Sequence, residues 1–209
     1  MSTGPNPTAK RASATRGLLV ANIAVSGIIA LLALSVLGRL GSATGPDETN
    51  LDLIDLLGVI QIPLPIATGV AWLMWQHRAQ ANLHAAGIGG LKFTPGWAVG
   101  YWFVPIVNLV RPYQSVKELW SASDPGAPDE ADWQKVSGAA RVGWWWLVLL
   151  ASNLAGVGAP WEIATIDDAR RWLTVTVVGE ALSIAAAALA ISIVMQIQQR
   201  QQRKFSVAA

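Results

Sequence analysis

Four stretches of this chain carry no Asp, Glu, Lys or Arg: the residues between Arg16 and Arg39, Asp55 and Arg78, Arg141 and Glu162, and Glu180 and Arg200. Each is about as long as the ~20 apolar residues that cross a bilayer. Soluble domains carry about a quarter charged residues. Here 13% of the 209 residues are charged, 53% are hydrophobic and the mean hydropathy is +0.40. A soluble enzyme, a collagen-like chain and a disordered chain are excluded. The expected fold class is an all-α integral membrane protein with little mass outside the lipid.

The gaps place four transmembrane helices at about Gly17–Leu37, Leu56–Trp75, Val142–Ala159 and Trp172–Met195. A fifth apolar stretch, Gly96–Val110, lies between spans two and three and contains Pro105 and Asn108. At ~1.5 Å per residue it reaches about 22 Å, short of the ~30 Å hydrocarbon core. The positive-inside rule decides whether it crosses. If it does not, only Arg39, Arg170 and Arg171 of the 15 Lys and Arg residues face out. If it does, the cations divide almost evenly. The expected topology is therefore four spans with both termini cytoplasmic. The Gly96–Val110 segment is then a re-entrant or interfacial broken helix, and Pro105 with Asn108 holds the break. Broken backbone at membrane depth has to be covered by protein or line a wet cavity. Gly96 and Gly100 offer a small-xxx-small ridge for close packing.

An interfacial amphipathic helix is expected over residues 112–122, opened by Pro112. Tyr113, Val116 and Trp120 share its apolar face, with Lys117 and Glu118 directed elsewhere. Residues 1–16 are polar and rich in Ser, Thr, Pro and Ala, and read as a disordered cytoplasmic tail. A cleaved signal peptide is the alternative for the first apolar run, which is longer than a signal core. The membrane domain covers residues 17–199, and residues 200–209 form a second cytoplasmic tail. Arginine outnumbers lysine, and alanine and glycine abound, as in proteins of GC-rich bacterial genomes. The expected location is the bacterial inner membrane.

Two polar clusters are candidate sites. Glu180 is the one ionisable residue well inside a span, where a carboxylate is costly unless paired, protonated or turned to the bundle interior. By residue count Asn153 and Gln61 fall in the same outer-leaflet layer, and Thr176 and Ser183 extend the Glu180 face. The group reads either as an ion- or proton-binding pocket or as inter-helix hydrogen bonding. The second cluster gathers Pro105, Asn108, Arg111, Tyr113 and Gln114 at the broken helix. It reads as a headgroup, phosphate or polar-ligand site, or as capping by Asn108 with Arg111 snorkelling to the interface.

Cysteine is absent and the histidines are two, His77 and His84. A metal site is not expected; seven residues apart the two histidines can share a helix face, whereas two ligands to one haem normally come from opposite helices. Most of the 11 tryptophans lie near span ends, as interfacial belts do. There is no G-x-S-x-G, P-loop or H-E-x-x-H motif, so neither an enzyme nor a cofactor is expected. A net charge of +2, scattered along the membrane flanks, does not suit nucleic acid.

The segment from Trp75 to Ser123 is the most distinctive. It contains Trp75, Arg78, Asn82 and Leu83, then Phe93-Thr94-Pro95-Gly96-Trp97-Ala98-Val99-Gly100 and the aromatic run Tyr101-Trp102-Phe103. Pro105, Asn108, Leu109, Pro112, Tyr113, Gln114, Glu118 and Trp120 follow. This pattern resembles the bacterial membrane family called domain of unknown function 4328, over about residues 50–200. The resemblance implies a small multi-span inner-membrane protein and no particular activity. The expected role is non-enzymatic: a scaffold, sensor or partner-binding module. Its partners would be the bilayer and other membrane proteins or further copies of the chain. The alternatives are a small transporter or channel using a polar intramembrane site, or a membrane-embedded lipid or haem binder.

Overall fold

A computed structural model describes residues 7–40, 62–127, 133–136, 139–160 and 162–207. Gln61 and the acidic loop before it lie outside the described residues. Among the described residues six α-helices form: α1 (Pro7–Arg39), α2 (Pro63–Ala85), α3 (Pro95–Gly100), α4 (Arg111–Ala122), α5 (Ala140–Leu154) and α6 (Ile166–Val207). Short 3-10 turns cover Tyr101–Phe103, Val107–Leu109 and Ala155–Gly158, and no strand occurs among the described residues. The all-helical class is thus as expected. Among the described residues two helices are long and apolar enough to cross a membrane, Thr8–Arg39 and Ile166–Ser206, with mean hydropathies of 2.4 and 2.2. Only 22% and 33% of their most apolar windows are buried, the reverse of a soluble core helix.

Helix boundaries follow local chemistry. α2 opens on Pro63, whose missing N–H would have been unpaired there anyway. It closes in a Schellman motif, with the Ile88 N–H donating to the Leu83 carbonyl at 3.2 Å and Gly87 at φ +70°. α6 opens in a capping box. Thr165 Oγ1 accepts the Asp168 N–H at 3.1 Å, and the Asp168 carboxylate accepts the Thr165 N–H at 3.0 Å.

The contacts form two compact units. One comprises Met1–Leu18, Thr68–Trp144 and Leu189–Ala209, and the other Leu19–Ala67 and Trp145–Ala188. In the second, Ala33 and Leu40 of the α1 end pack with Ala169 and Leu173 of α6. A Cβ at Gly179 would lie 3.5 Å from the Ala155 Cβ, so α6 and the turn after α5 approach closely. In the first unit Trp75, Ala79, Leu83, Val116 and Leu119 are fully buried.

Both tails depart from expectation. α1 begins at Pro7, inside the stretch read as disordered, and Thr8, Ala12 and Thr15 are buried. Thr15 Oγ1 donates to the Ala71 carbonyl at 3.0 Å, and Arg11 donates to the Met74 carbonyl at 3.2 Å. At the other end α6 continues to Val207, through residues read as a tail. Thr8, Arg11 and Thr15 at one end, and Gln201 and Lys204 at the other, bond to other parts of the chain and hold these segments in place.

Candidate functional site

The first unit is held by a buried polar ladder running from α2. Trp72, Gln76 and Gln80 repeat at i, i+4 and i+8 and share a helix face. Gln76 is fully buried and all four of its hydrogen-bonding positions are filled. Its amide donates to the Ala98 carbonyl at 3.1 Å and to Ser115 Oγ at 2.9 Å. Its oxygen accepts the indole N–H groups of Trp72 and Trp102, each at 3.1 Å. One side chain thereby joins α2, α3, the 3-10 turn after it and α4.

One turn on, Gln80 Nε2 donates to the Phe93 carbonyl and to Glu118 Oε1, both at 2.9 Å. The Lys92 N–H donates to Glu118 Oε2 at 2.7 Å and the Phe93 N–H to Oε1 at 3.2 Å. Glu118 is 6% exposed. Burial pushes its carboxyl above the ordinary value, while the Lys92, Phe93 and Gln80 donors and nearby His84 pull against that rise. Glu118 was expected to point away from the packed face. It is buried because the 92–93 backbone presents two N–H groups that need an acceptor.

A second face of α2 meets the chain's two outer helices. Asn82 Nδ2 donates to Thr8 Oγ1 at 3.0 Å and to Gln201 Oε1 at 3.2 Å. Gln201 Nε2 donates to the Ala79 carbonyl at 2.9 Å and to Ser123 Oγ at 3.2 Å. α6 also caps α4: Lys204 Nζ reaches the carbonyls of Ala122 and Ala127 at 2.8 and 2.7 Å. Arg200 reaches the Trp120 carbonyl at 3.1 Å, pairs with Asp124 at 3.2 Å and lies 4.3 Å from the Trp120 ring centre. Cations at a helix C-terminus meet its unpaired carbonyls and the negative end of its dipole.

The broken segment has a defined turn. Val104 leaves the helix at φ −91°, ψ 111°, the extended conformation that a following proline enforces. Ile106 then adopts φ 65°, ψ −47°, and the Val107 N–H bonds the Pro105 carbonyl at 2.7 Å. This is the γ-turn of positive φ, a strained conformation for any side chain and more so for a β-branched one. Asn108 contributes its backbone N–H to the Val104 carbonyl at 2.9 Å, and no side chain caps the turn. Pro105 and the Ile106 backbone make the break, and Asn108 enters it only through its main chain. Arg111 donates to Gln114 Oε1 at 3.2 Å and lies 5.7 Å from the Tyr101 ring centre. Lys117 lies 6.0 Å from the Tyr113 ring centre. Arg111, Tyr113 and Gln114 therefore sit together on α4, at the foot of the break.

The other candidate cluster is less joined. Glu180 is buried at 8% exposure, and Ser183 is half-buried. Asn153 is exposed and donates to the Leu149 carbonyl of its own helix at 2.7 Å. Thr176 Oγ1 likewise donates to the Trp172 carbonyl at 2.9 Å. These two donors serve their own helices and not a shared pocket.

A family model, Domain of unknown function (DUF4328), matches residues 48–199. The chain belongs to this family. No curated protein and no solved structure matches the sequence. The DUF4328 match contains Gln76, Gln80, Asn82 and Glu118. Thr8, Arg200, Gln201 and Lys204, which complete the ladder, lie beyond its ends. Sequence reasoning missed Gln76 and Gln80, although their i, i+4 spacing beside Trp72 on an otherwise apolar helix was a usable signal.

Proposed function

We propose that this is a four-span protein of the bacterial inner membrane, with both termini cytoplasmic, that works without catalysis as a scaffold or partner-binding module. In this reading the Gly96–Val110 segment enters the membrane from the cytoplasmic face and returns. The observation that carries it is the γ-turn at Ile106. It reverses the chain while leaving Ile106 82% and Phe103 71% exposed, a placement that suits lipid and is unfavourable in water. The cation asymmetry supports the same layout. The scaffold role is supported by the ladder, whose side chains bond one another and hold a fixed platform.

The chain has no native cysteine, so single cysteines report topology cleanly. Cysteines replacing exposed Lys135 and Ser206 should both resist an impermeant thiol reagent added to intact cells, whereas Arg170→Cys should react. Reaction at both Lys135→Cys and Ser206→Cys, with protection at Arg170→Cys, would mean that the broken segment crosses. The transport alternative draws on one observation, the burial of Glu180. Proton or cation flux in liposomes that disappears in Glu180→Gln would favour it over the scaffold.

A further inference from the structure

Between residues 62 and 127 every charged side chain left exposed is a cation. These are Arg78, Lys92, Arg111 and Lys117. The two acids of the segment are engaged internally, Glu118 by Gln80 and the 92–93 backbone, Asp124 by Arg200. Arg111 directly follows a run of exposed apolar residues, Phe103, Ile106, Leu109 and Val110, with Trp97 exposed in the element before it, and Lys117 lies six residues further along α4. Ile106 is the most exposed large hydrophobic residue described, and its backbone is held in a strained turn. Strain of this kind persists where surrounding structure over-determines it, and it gathers at sites of use.

We infer that Arg111 and Lys117 bind the phosphate of an anionic phospholipid whose acyl chains pack on Phe103, Ile106 and Leu109. The inference rests on the membrane placement of the broken segment proposed above. Each cation lies near a tyrosine ring, Arg111 near Tyr101 and Lys117 near Tyr113, and neither forms an ion pair among the described residues. Arg111 gives one N–H to Gln114, the remaining N–H groups of a guanidinium held on an aromatic face can meet a phosphate, and tyrosine favours the headgroup level. An acidic protein surface would answer the cations but leave the apolar cluster in water. An uncharged lipid would cover the cluster but leave the cations unanswered. A lipid with a negative headgroup answers both.

The test uses the full chain, reconstituted in phosphatidylcholine bilayers with and without phosphatidylglycerol. Lipid retained after detergent extraction is counted by native mass spectrometry. Two juxtamembrane cations, at about 1 kcal/mol each, imply up to about a thirtyfold preference for phosphatidylglycerol over phosphatidylcholine. Arg111→Gln with Lys117→Gln should bring that preference close to parity. Removing two other exposed cations, Arg78→Gln with Lys135→Gln, should leave it intact. Equal loss in both pairs, or no preference in the wild type, overturns the inference. So does displacement of the lipid by millimolar inorganic phosphate, or by polyglutamate, which would point to a free anion or an acidic protein. A spin label on Ile106→Cys reads the placement separately. A label in water refutes the leaflet reading. A label in hydrocarbon without phosphatidylglycerol preference refutes only the headgroup site.

Discussion

Gln80 donates a hydrogen bond to Glu118 at 2.9 Å, across 38 residues of sequence, and neither side chain is open to solvent. The pair fastens the middle of α2 to α4 with the 92–93 backbone between them. Glu118 takes three N–H donors and offers none in return, so only an acceptor-rich group fits there.

Glu118→Gln tests that fit. The new amide would turn an N–H toward an N–H of Lys92, Phe93 or Gln80. Hydrogen bonds to charged groups contribute about 1.5–3 kcal/mol, and an unsatisfied buried donor adds to the loss. A destabilisation of roughly 2–4 kcal/mol is expected in denaturant titration at mildly alkaline pH. A loss below about 0.5 kcal/mol, the range of ordinary surface changes, would show that the three donors are not held by charge.

The same residue gives a pH dependence whose sign is fixed. Its folded-state carboxyl is raised above the ordinary value, chiefly by burial. Between the two values the folded chain holds a proton that the unfolded chain has lost. Stability therefore falls as pH rises from the ordinary carboxyl range, about 4.3, through the raised value, and this contribution is flat above it. Glu118→Gln should remove that slope. An unchanged slope in the variant would assign it to another group.

Gln76→Leu keeps the size and removes four hydrogen bonds together. It takes from the Trp72 and Trp102 indole N–H groups the acceptor they share, and from Ser115 Oγ and the Ala98 carbonyl a donor. Ser115 still has the Pro112 carbonyl at 2.9 Å, so the tryptophans carry most of the loss. The expected cost is about 2–4 kcal/mol, with a shift in tryptophan emission. Gln76→Glu should cost a similar amount, because it retains the acceptors and loses both donors. If Glu is tolerated and Leu is not, the donor bonds to Ala98 and Ser115 matter little.

Ile106→Gly separates backbone strain from side-chain use. Strain at such a residue costs about 1–3 kcal/mol, and glycine returns roughly 0.5–1 of that through unfolded-state entropy. In detergent the variant should be as stable as the wild type or up to about 2 kcal/mol more so. Pro105→Ala should act differently, letting Val104 relax toward the helix and altering the turn. A destabilised Ile106→Gly would show that the side chain, exposed as it is, has a packing role.

Lys204→Met removes the ammonium that reaches the Ala122 and Ala127 carbonyls. A loss of about 1–3 kcal/mol is expected, against near zero for the exposed neighbour Arg203→Met. Equal effects would return this segment to the status of a tail.

What the sequence made legible was whatever leaves a one-dimensional trace. Charge gaps marked the apolar helices, Pro105 marked the break, and Pro112 marked the start of α4. The ladder left almost none. Glu118 beside Lys117 looks like any solvated pair on an amphipathic helix, and only the unpaired N–H groups of Lys92 and Phe93, folded over it, draw it inward. Gln201 sits in a glutamine-rich run that reads as solvated, and Thr8 in one that reads as disordered. Their partners are remote in sequence, so no local pattern announces them. The expected Glu180 layer shows the opposite failure. Equal depth was inferred from residue counts, yet side-chain direction decides whether Asn153 and Thr176 meet anything beyond their own helices.

Asn82 also sets a schedule. Its amide waits for Gln201, which lies 119 residues later. At 5–20 residues per second a ribosome needs about 6–24 s to make that interval. Throughout it, a half-buried polar side chain is without one of its acceptors. During that interval α2 is open to any membrane chaperone or quality-control protease that recognises unpaired polar groups, and arrival of the α6 end closes the window. Ribosome-stalled chains released before and after Gln201 should therefore differ sharply in protease resistance at α2, although they differ by only a few residues.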